Sequence, residues 1–172
     1  LSSFGLKSTI NKMEEIKKDN RLKIAVVLPT RGLVFAEAMQ GIEDNRTFYD
    51  LKIYISIGMG IPDAQNYLVN QALLYSNRAD YLLFVEEDTV IPPNAIILML
   101  NELEEEKADI AFIDYGVNGY SCSARLKDTN EVLWCGLGCT LVKREVFEKL
   151  EKPYFRTDKT LRLNDWQWVD TP

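Results

Sequence analysis

Continuous apolar runs alternate with segments of helical spacing along the first two thirds of the chain. Apolar runs at 23–28 and 81–85 and weaker strand patterns at 51–57 and 109–113 predict four strands, with helices between them. The first two runs show no polar alternation, which is typical of strands buried on both faces of a parallel sheet. The pattern predicts an α/β domain with a mostly parallel central sheet and helices on both faces.

Two further features complete the pattern. Residues 6–18 have the spacing of an amphipathic helix. After Gly116, residues 120–126 and 132–142 flank a polar turn and predict a small antiparallel hairpin, followed by a short helix over 143–150. Because no repeat or linker divides the chain, we expect residues 1–172 to form a single domain.

Composition narrows the class of protein. The net charge of −6 provides no overall basic field, so we expect no nucleic-acid partner. No apolar run reaches the roughly 18 residues of a membrane span, so we expect no transmembrane segment. The odd number of cysteines, three, and the absence of a recognisable signal peptide favour a reducing, cytoplasmic location.

The sequence contains no histidine. This excludes Ser-His and Cys-His nucleophile pairs, a histidine general base and histidine-ligated metal sites within this chain. Acid–base and metal chemistry would therefore depend on other side chains, chiefly carboxylates.

Three adjacent carboxylates, Glu86, Glu87 and Asp88, directly follow the buried run at 81–85. Strand alternation would point Glu86 and Asp88 to one side and Glu87 to the other. A divalent cation would relieve their repulsion, and oxygen ligands suit Mg²⁺ or Mn²⁺. Ligands of such sheets also bind at the carboxyl ends of the strands. A solvated acidic turn before a helix fits the same spacing equally well.

Five segments, taken in order, resemble those of nucleotide-sugar glycosyltransferases of the GT-A fold. They are Ile24–Arg31 (IAVVLPTR), Asp63–Val69 (DAQNYLV), Tyr81–Pro93 (YLLFVEEDTVIPP), Trp134–Phe147 (WCGLGCTLVKREVF) and Pro153–Arg156 (PYFR). The third resembles the strand that carries the Asp-x-Asp metal motif of this large family, with Glu86 in place of the first aspartate. Gln65 stands where arginine is common in the family, and Ser56-Ile-Gly58 stands where many members have Asp-Asp-Gly.

The resemblance implies a single GT-A-like, Rossmann-like domain. It implies a nucleotide-binding half at 22–115 and an acceptor-side half at 116–172, and the helical spacing adds an N-terminal helix within 1–21. The implied reaction is metal-dependent, inverting transfer of a sugar from a UDP- or GDP-linked donor to a hydroxyl of a glycan, protein or lipid acceptor.

The resemblance also implies roles for particular residues. Asp88 and Glu86 would bind Mn²⁺ or Mg²⁺, and Asp165, with Asp170 as second candidate, would be the catalytic base. Nucleotide contacts would come from Thr30, Arg31, Asp63, Asn66 and Glu87, and acceptor or sugar contacts from Asp114, Trp134 and Gly136. Structural roles remain open for several of them, such as a helix N-cap for Asp63 and close strand packing for Gly136 and Gly138.

Other functions fit the same pattern. A sugar-phosphate nucleotidyltransferase resembles this fold but usually has a Gly-x-Gly-Thr-Arg loop after its first strand, where this chain has Leu28-Pro-Thr-Arg-Gly32. A metal-dependent phosphatase usually has an aspartate at that position. A non-catalytic carbohydrate-binding protein of the same fold is the alternative outside enzymes.

Overall fold

The computed structural model describes residues 21–75, 79–117, 120–121, 123–125 and 132–156. The predicted helix at 6–18 lies outside these residues. The helices are α1 (Ala36–Asn45), α2 (Asp63–Tyr75), α3 (Ala95–Glu105) and α4 (Arg144–Lys149). The longer strands are β1 (Lys23–Thr30), β2 (Asp50–Ile57), β3 (Tyr81–Val85), β4 (Ile110–Phe112) and β9 (Cys139–Lys143). The shorter strands are β5 (Gly116–Val117), β6 (Tyr120–Ser121), β7 (Ser123–Arg125) and β8 (Val132–Cys135).

The five longer strands form one sheet in the order β2-β1-β3-β9-β4. β1 pairs in parallel with both β2 and β3, whereas β9 runs antiparallel to both β3 and β4. Four strands therefore point in one direction and β9 points in the other. The sheet is mixed, while the sequence pattern predicts a mostly parallel one.

Residues of the predicted hairpin divide among three sheets. Its first residues form β6, which pairs antiparallel with β5. The part nearest the turn is confirmed, because β7 pairs antiparallel with β8, from Ser123 opposite Cys135 to Arg125 opposite Val132. The second arm does not continue to residue 142 as one strand. The strand is interrupted at residues 136–138. The next strand, β9, then lies in the main sheet between β3 and β4.

Helices cover both faces of the sheet, as the sequence predicts. On one face, Ile24, Val26 and Leu28 of β1 pack with core residues of α1 and α3. On the other, Ala25 and Val27 of the same strand pack with residues of α2 and α4. Because both faces are covered, every residue from 24 to 28 is buried, and the apolar run needs no polar alternation.

Helix boundaries differ slightly from the sequence prediction. Asp63 is the first residue of α2 rather than its N-cap. The inward face of α3 includes Met99, which is fully buried, and Leu100, which is partly buried. Within the described ranges, no helix is long and apolar enough to cross a membrane.

Candidate functional site

The carboxyl ends of β1 and β3 form a topological switch point. The chain leaves β1 for β2 on one side, while β3 lies on the other side of β1. Such points leave a crevice outside the strand ends, where ligands of open α/β sheets bind. Val27 is opposite Phe84, so continuing this register three residues further places Thr30 opposite Glu87. The β1–α1 loop and the acidic segment therefore meet here.

Glu87 accepts hydrogen bonds from two consecutive residues of β1 and its loop. The Thr30 hydroxyl lies 2.6 Å from Glu87 Oε2, and the Arg31 backbone N–H donates to the same oxygen at 2.8 Å. The Arg31 Nε–H donates to Glu87 Oε1 in an ion pair. These contacts lower the pKa of Glu87 from its ordinary value of 4.5 to about 2, with the Thr30 hydroxyl as the largest cause. The Glu87 carboxylate is therefore ionised and already bound to β1 and its loop.

Glu86 and Asp88 differ from Glu87 because both side chains are exposed. Partial desolvation and then the charges of Asp88 and Glu87 raise the pKa of Glu86. β3 ends at Val85 and residues 87 and 88 lie in a turn, so strand alternation does not extend to these carboxylates. The contacts with the β1 loop are what distinguish Glu87 from its neighbours. Two exposed carboxylates thus lie at the switch point, and the Arg31 guanidinium, already bound to Glu87, is close enough to Asp88 to interact with its charge.

No group of three or more Cys, His, Asp or Glu side chains that could hold a metal ion occurs among the described residues. Magnesium sites that serve substrate phosphates commonly use only one or two protein carboxylates, the phosphates and water completing the shell. The oxygen donors of Glu86 and Asp88 fit a Mg²⁺ or Mn²⁺ site of this open kind.

Helix α1 packs closely against the segment that follows the carboxylates. A Cβ added at Gly41 would lie 2.6 Å from the Ile91 carbonyl oxygen, so only glycine permits this approach. The Phe35 N–H, just before α1, donates to the Glu87 carbonyl at 2.9 Å. The acidic segment is therefore fixed between β3 and the start of α1.

The two candidates on α2 have different environments. Asp63 is exposed in the first turn, where a carboxylate is favoured by the helix dipole. Asn66 instead pairs with the backbone of Phe155: its Nδ2 donates to the Phe155 carbonyl at 2.8 Å, and the Phe155 N–H donates to Oδ1 at 3.0 Å. This side chain holds residues 151–156 against α2, a structural role that the sequence did not indicate.

The acceptor-side candidates follow β4 or lie on and after β8. Asp114 is exposed and accepts a hydrogen bond from the Ser123 hydroxyl at 3.0 Å. Trp134 is about half exposed, and the Gly136 carbonyl accepts from the Thr140 hydroxyl at 2.8 Å. Asp165 and Asp170, the candidate bases, lie outside the described residues.

Gly138 packs directly against the side chain of Tyr115. Its N–H donates to the Tyr115 hydroxyl at 2.9 Å, and a Cβ at this position would overlap the phenol ring. Tyr115, Ser123 and Thr140 are contact residues on this side that the sequence did not single out. Neither Tyr115 nor Ser123 belongs to a recognisable motif, so only the folded chain reveals them.

A groove of about 330 Å³ lies on a different part of the surface. It is lined mainly by residues of α3 and β4, with Val132 of β8, and includes none of the candidate site residues. The groove is therefore separate from the candidate site at the carboxyl ends of β1 and β3.

No protein-family model matches the sequence, and no curated protein matches it significantly. Among solved structures, the chain is similar to A197 from STIV, with 21% sequence identity and a TM-score of 0.63. The similarity covers 79% of this chain and 72% of that one. At this level of identity the likeness concerns the fold, a single α/β domain with a mixed sheet.

Proposed function

We propose that this protein is a metal-dependent glycosyltransferase with a GT-A-like fold. It transfers a sugar, with inversion, from a UDP- or GDP-linked donor to an acceptor hydroxyl. The observation that carries the proposal is that an exposed cation, Arg31, and two exposed carboxylates, Glu86 and Asp88, lie at the same switch point. Arg31 extends from the end of β1, and exposed Glu86 and Asp88 follow β3.

This arrangement suits a nucleotide diphosphate. A guanidinium is a preferred binder of phosphate because its planar N–H groups match the oxygens. Carboxylates alone would repel the diphosphate, so their exposure beside Arg31 makes sense when a divalent cation lies between the two anions. When bound, Mn²⁺ or Mg²⁺ would offset the negative charge that develops on the departing diphosphate. Asp88 and Glu86 are the residues that would hold it.

The acceptor would lie on the side of β4 and β8. Asp114 offers a hydrogen-bond acceptor for sugar hydroxyls, and the exposed ring face of Trp134 offers an apolar surface for sugar C–H groups. The proton of the attacking hydroxyl needs a base, and Asp165 stays our prediction for it. An acceptor that is a glycan, protein or lipid is compatible with this arrangement.

The test is a titration with UDP and GDP, with and without Mn²⁺, of the wild type, Asp88→Asn and Asp109→Asn. Asp109 is the matched control because it is a half-exposed carboxylate that precedes β4, at the opposite edge of the sheet. We expect Mn²⁺ to increase nucleotide affinity at least about tenfold, or 1.4 kcal/mol, in the wild type and the control. Asp88→Asn should remove this increase.

The outcomes separate the alternatives. Metal-dependent affinity that persists in Asp88→Asn removes Asp88 from the metal site. Release of pyrophosphate from UTP and a sugar phosphate, without sugar transfer, identifies a nucleotidyltransferase instead. Sugar binding without nucleotide binding identifies a carbohydrate-binding protein.

A further inference from the structure

Glu87 differs from the two carboxylates beside it because it is engaged with the protein itself. Its side chain is only 12% exposed, and the contacts of its carboxylate are with Thr30 and Arg31. Its backbone carbonyl accepts from Phe35, at the other end of the same loop. One residue of the acidic segment thus contacts both ends of the β1–α1 loop.

Residues 32 and 33 of this loop have few other restraints, whereas Val34 packs against the core. Gly32 adopts a φ of 135°, with no atom within 4 Å of where a Cβ would be. Leu33 is 81% exposed. The Thr30 hydroxyl oxygen, itself 2.6 Å from Glu87, accepts from the Gly32 N–H and lies 2.8 Å from the Leu33 carbonyl. The conformation of the loop therefore depends strongly on Glu87.

Arg31 is 88% exposed and has five N–H donors in a rigid plane. Nε is bound to Glu87, which fixes the edge of the plane that faces the protein. Among the residues that the structure describes, none accepts a hydrogen bond from Nη1 or Nη2 of Arg31. The remaining donors are therefore available to a bidentate anion at the switch point.

We propose that Glu87 is a positioning residue that holds the β1–α1 loop and orients Arg31 so that its Nη groups receive the donor diphosphate. This inference rests on the proposed function. Glu87 does not contact the nucleotide, because a carboxylate would repel the diphosphate and its oxygens already have donors. It acts through Arg31 and is not a catalytic residue.

Loop ordering can be tested without any nucleotide. Native-state cleavage by trypsin after Arg31 is measured by mass spectrometry in the full chain, for the wild type, Glu87→Gln and Glu43→Gln. Glu43 is the matched control because it forms an exposed ion pair with Arg46 elsewhere on α1. We expect cleavage after Arg31 to be several-fold faster only in Glu87→Gln. Equal cleavage in all three proteins would overturn the loop-holding role.

The effect on the ligand is tested by a double-mutant cycle of UDP affinity in the presence of Mn²⁺. We expect Glu87→Gln and Arg31→Ala each to weaken UDP binding about tenfold, and the double variant to bind no more weakly than Arg31→Ala alone. Additive losses would overturn the inference, because Glu87 would then act independently of Arg31. Tighter UDP binding by Glu87→Gln would also overturn it, because the carboxylate would be competing with the phosphate.

A further variant keeps the test valid if Glu87→Gln does not fold. Arg31→Lys keeps the charge but lacks the planar fork, so it should bind UDP nearly as weakly as Arg31→Ala. Wild-type affinity in Arg31→Lys would overturn the orienting role. A wild type that binds neither UDP nor GDP overturns both proposals. Wild-type UDP affinity in Glu87→Gln, together with faster cleavage after Arg31, overturns this inference alone.

Discussion

At the scale of single residues, neighbours in sequence have unlike environments. Glu86, Glu87 and Asp88 are adjacent, yet only Glu87 has its carboxylate bound by Thr30 and Arg31. The three residues follow β3, which ends at Val85, so the difference comes from the contacts of Glu87 and not from strand alternation. The identity of its partners depends on the pairing of β1 with β3, which no local pattern specifies.

The lowered pKa of Glu87 predicts a particular dependence of stability on pH. A carboxylate with a folded-state pKa of about 2, below its ordinary 4.5, stabilises the fold above pH 4.5. This contribution is lost as the pH falls through the window between those values. We therefore expect wild type and Glu87→Gln, unfolded with urea in metal-free buffer, to differ most near neutral pH and to converge towards about pH 2. A difference that persists or widens on acidification would contradict this prediction.

Gly138 is a second position where one atom decides the packing. A methyl group there would overlap the Tyr115 ring and displace the hydroxyl from the Gly138 N–H. We expect Gly138→Ala to lower the free energy of unfolding by about 1–3 kcal/mol, measured by chemical denaturation. Gly60→Ala is the control, because no atom lies within 4 Å of the added carbon, and it should change stability by less than about 0.5 kcal/mol. In a Tyr115→Ala background the cost at Gly138 should fall, and an unchanged cost would exclude this contact as its cause.

At the scale of elements, α2 is joined to a segment that is distant in the sequence. Asn66 in the first turn of α2 makes two hydrogen bonds to the backbone of Phe155, 89 positions later. Phe155 in turn packs against Phe84 of β3, with ring centroids 5.7 Å apart. The segment at 151–156 is therefore attached both to α2 and to β3, the strand that precedes the acidic segment.

Removing the Asn66 amide should release this segment. We expect Asn66→Ala to cost about 1–3 kcal/mol, because the partly buried Phe155 backbone groups lose their partners. The Phe155 amide should also exchange its hydrogen faster with solvent, as measured by NMR or mass spectrometry. Asn70→Ala is the matched control, since its Nδ2 donates only to the Asn66 carbonyl within α2. Faster exchange at Phe155 in both variants would mean that α2 as a whole has been loosened.

At the scale of the whole molecule, β9 contributes side chains to the hydrophobic cores on both faces of the sheet. Leu141 belongs to the core on the α1 and α3 face, and Val142 belongs to the core on the α2 and α4 face. The strand lies between β3 and β4, so residues late in the chain complete a sheet begun by residues 23–30. The two faces should therefore unfold together.

Leu141→Ala tests this cooperativity. The side chain is fully buried, so we expect a loss of about 2–5 kcal/mol in unfolding free energy. An aromatic cluster on the α2 and α4 face consists of Phe84, Phe147, Tyr154 and Phe155. Transitions followed by far-UV circular dichroism and by the near-UV signals of this cluster should still coincide. Leu150→Ala, at a half-exposed leucine, should change stability by less than about 0.5 kcal/mol. Separate transitions for the two signals would show that the faces fold independently.

The sequence by itself determined the elements whose signal is local. Uninterrupted apolar runs identified β1 and β3, because a strand covered on both faces has no polar positions. Helical spacing identified α1, α2 and α3, and it followed that helices cover both faces. The candidate groups Arg31, Glu86 and Asp88 were also visible, since they directly follow strands and such ends form ligand sites in α/β sheets.

Only the tertiary structure decided what depends on long-range pairing. The sheet is mixed because the strand is interrupted at 136–138 and β9 lies between β3 and β4. The alternating pattern of a strand does not show whether its partner is the neighbouring segment or a distant one. The same applies to Glu87 and Asn66. Both are polar residues whose hydrogen-bond partners are distant in the sequence: the partners at 30–31 and 155 lie 56 or more positions away. Local pattern specifies which face a residue occupies, whereas its partner there depends on which segments fold against that face.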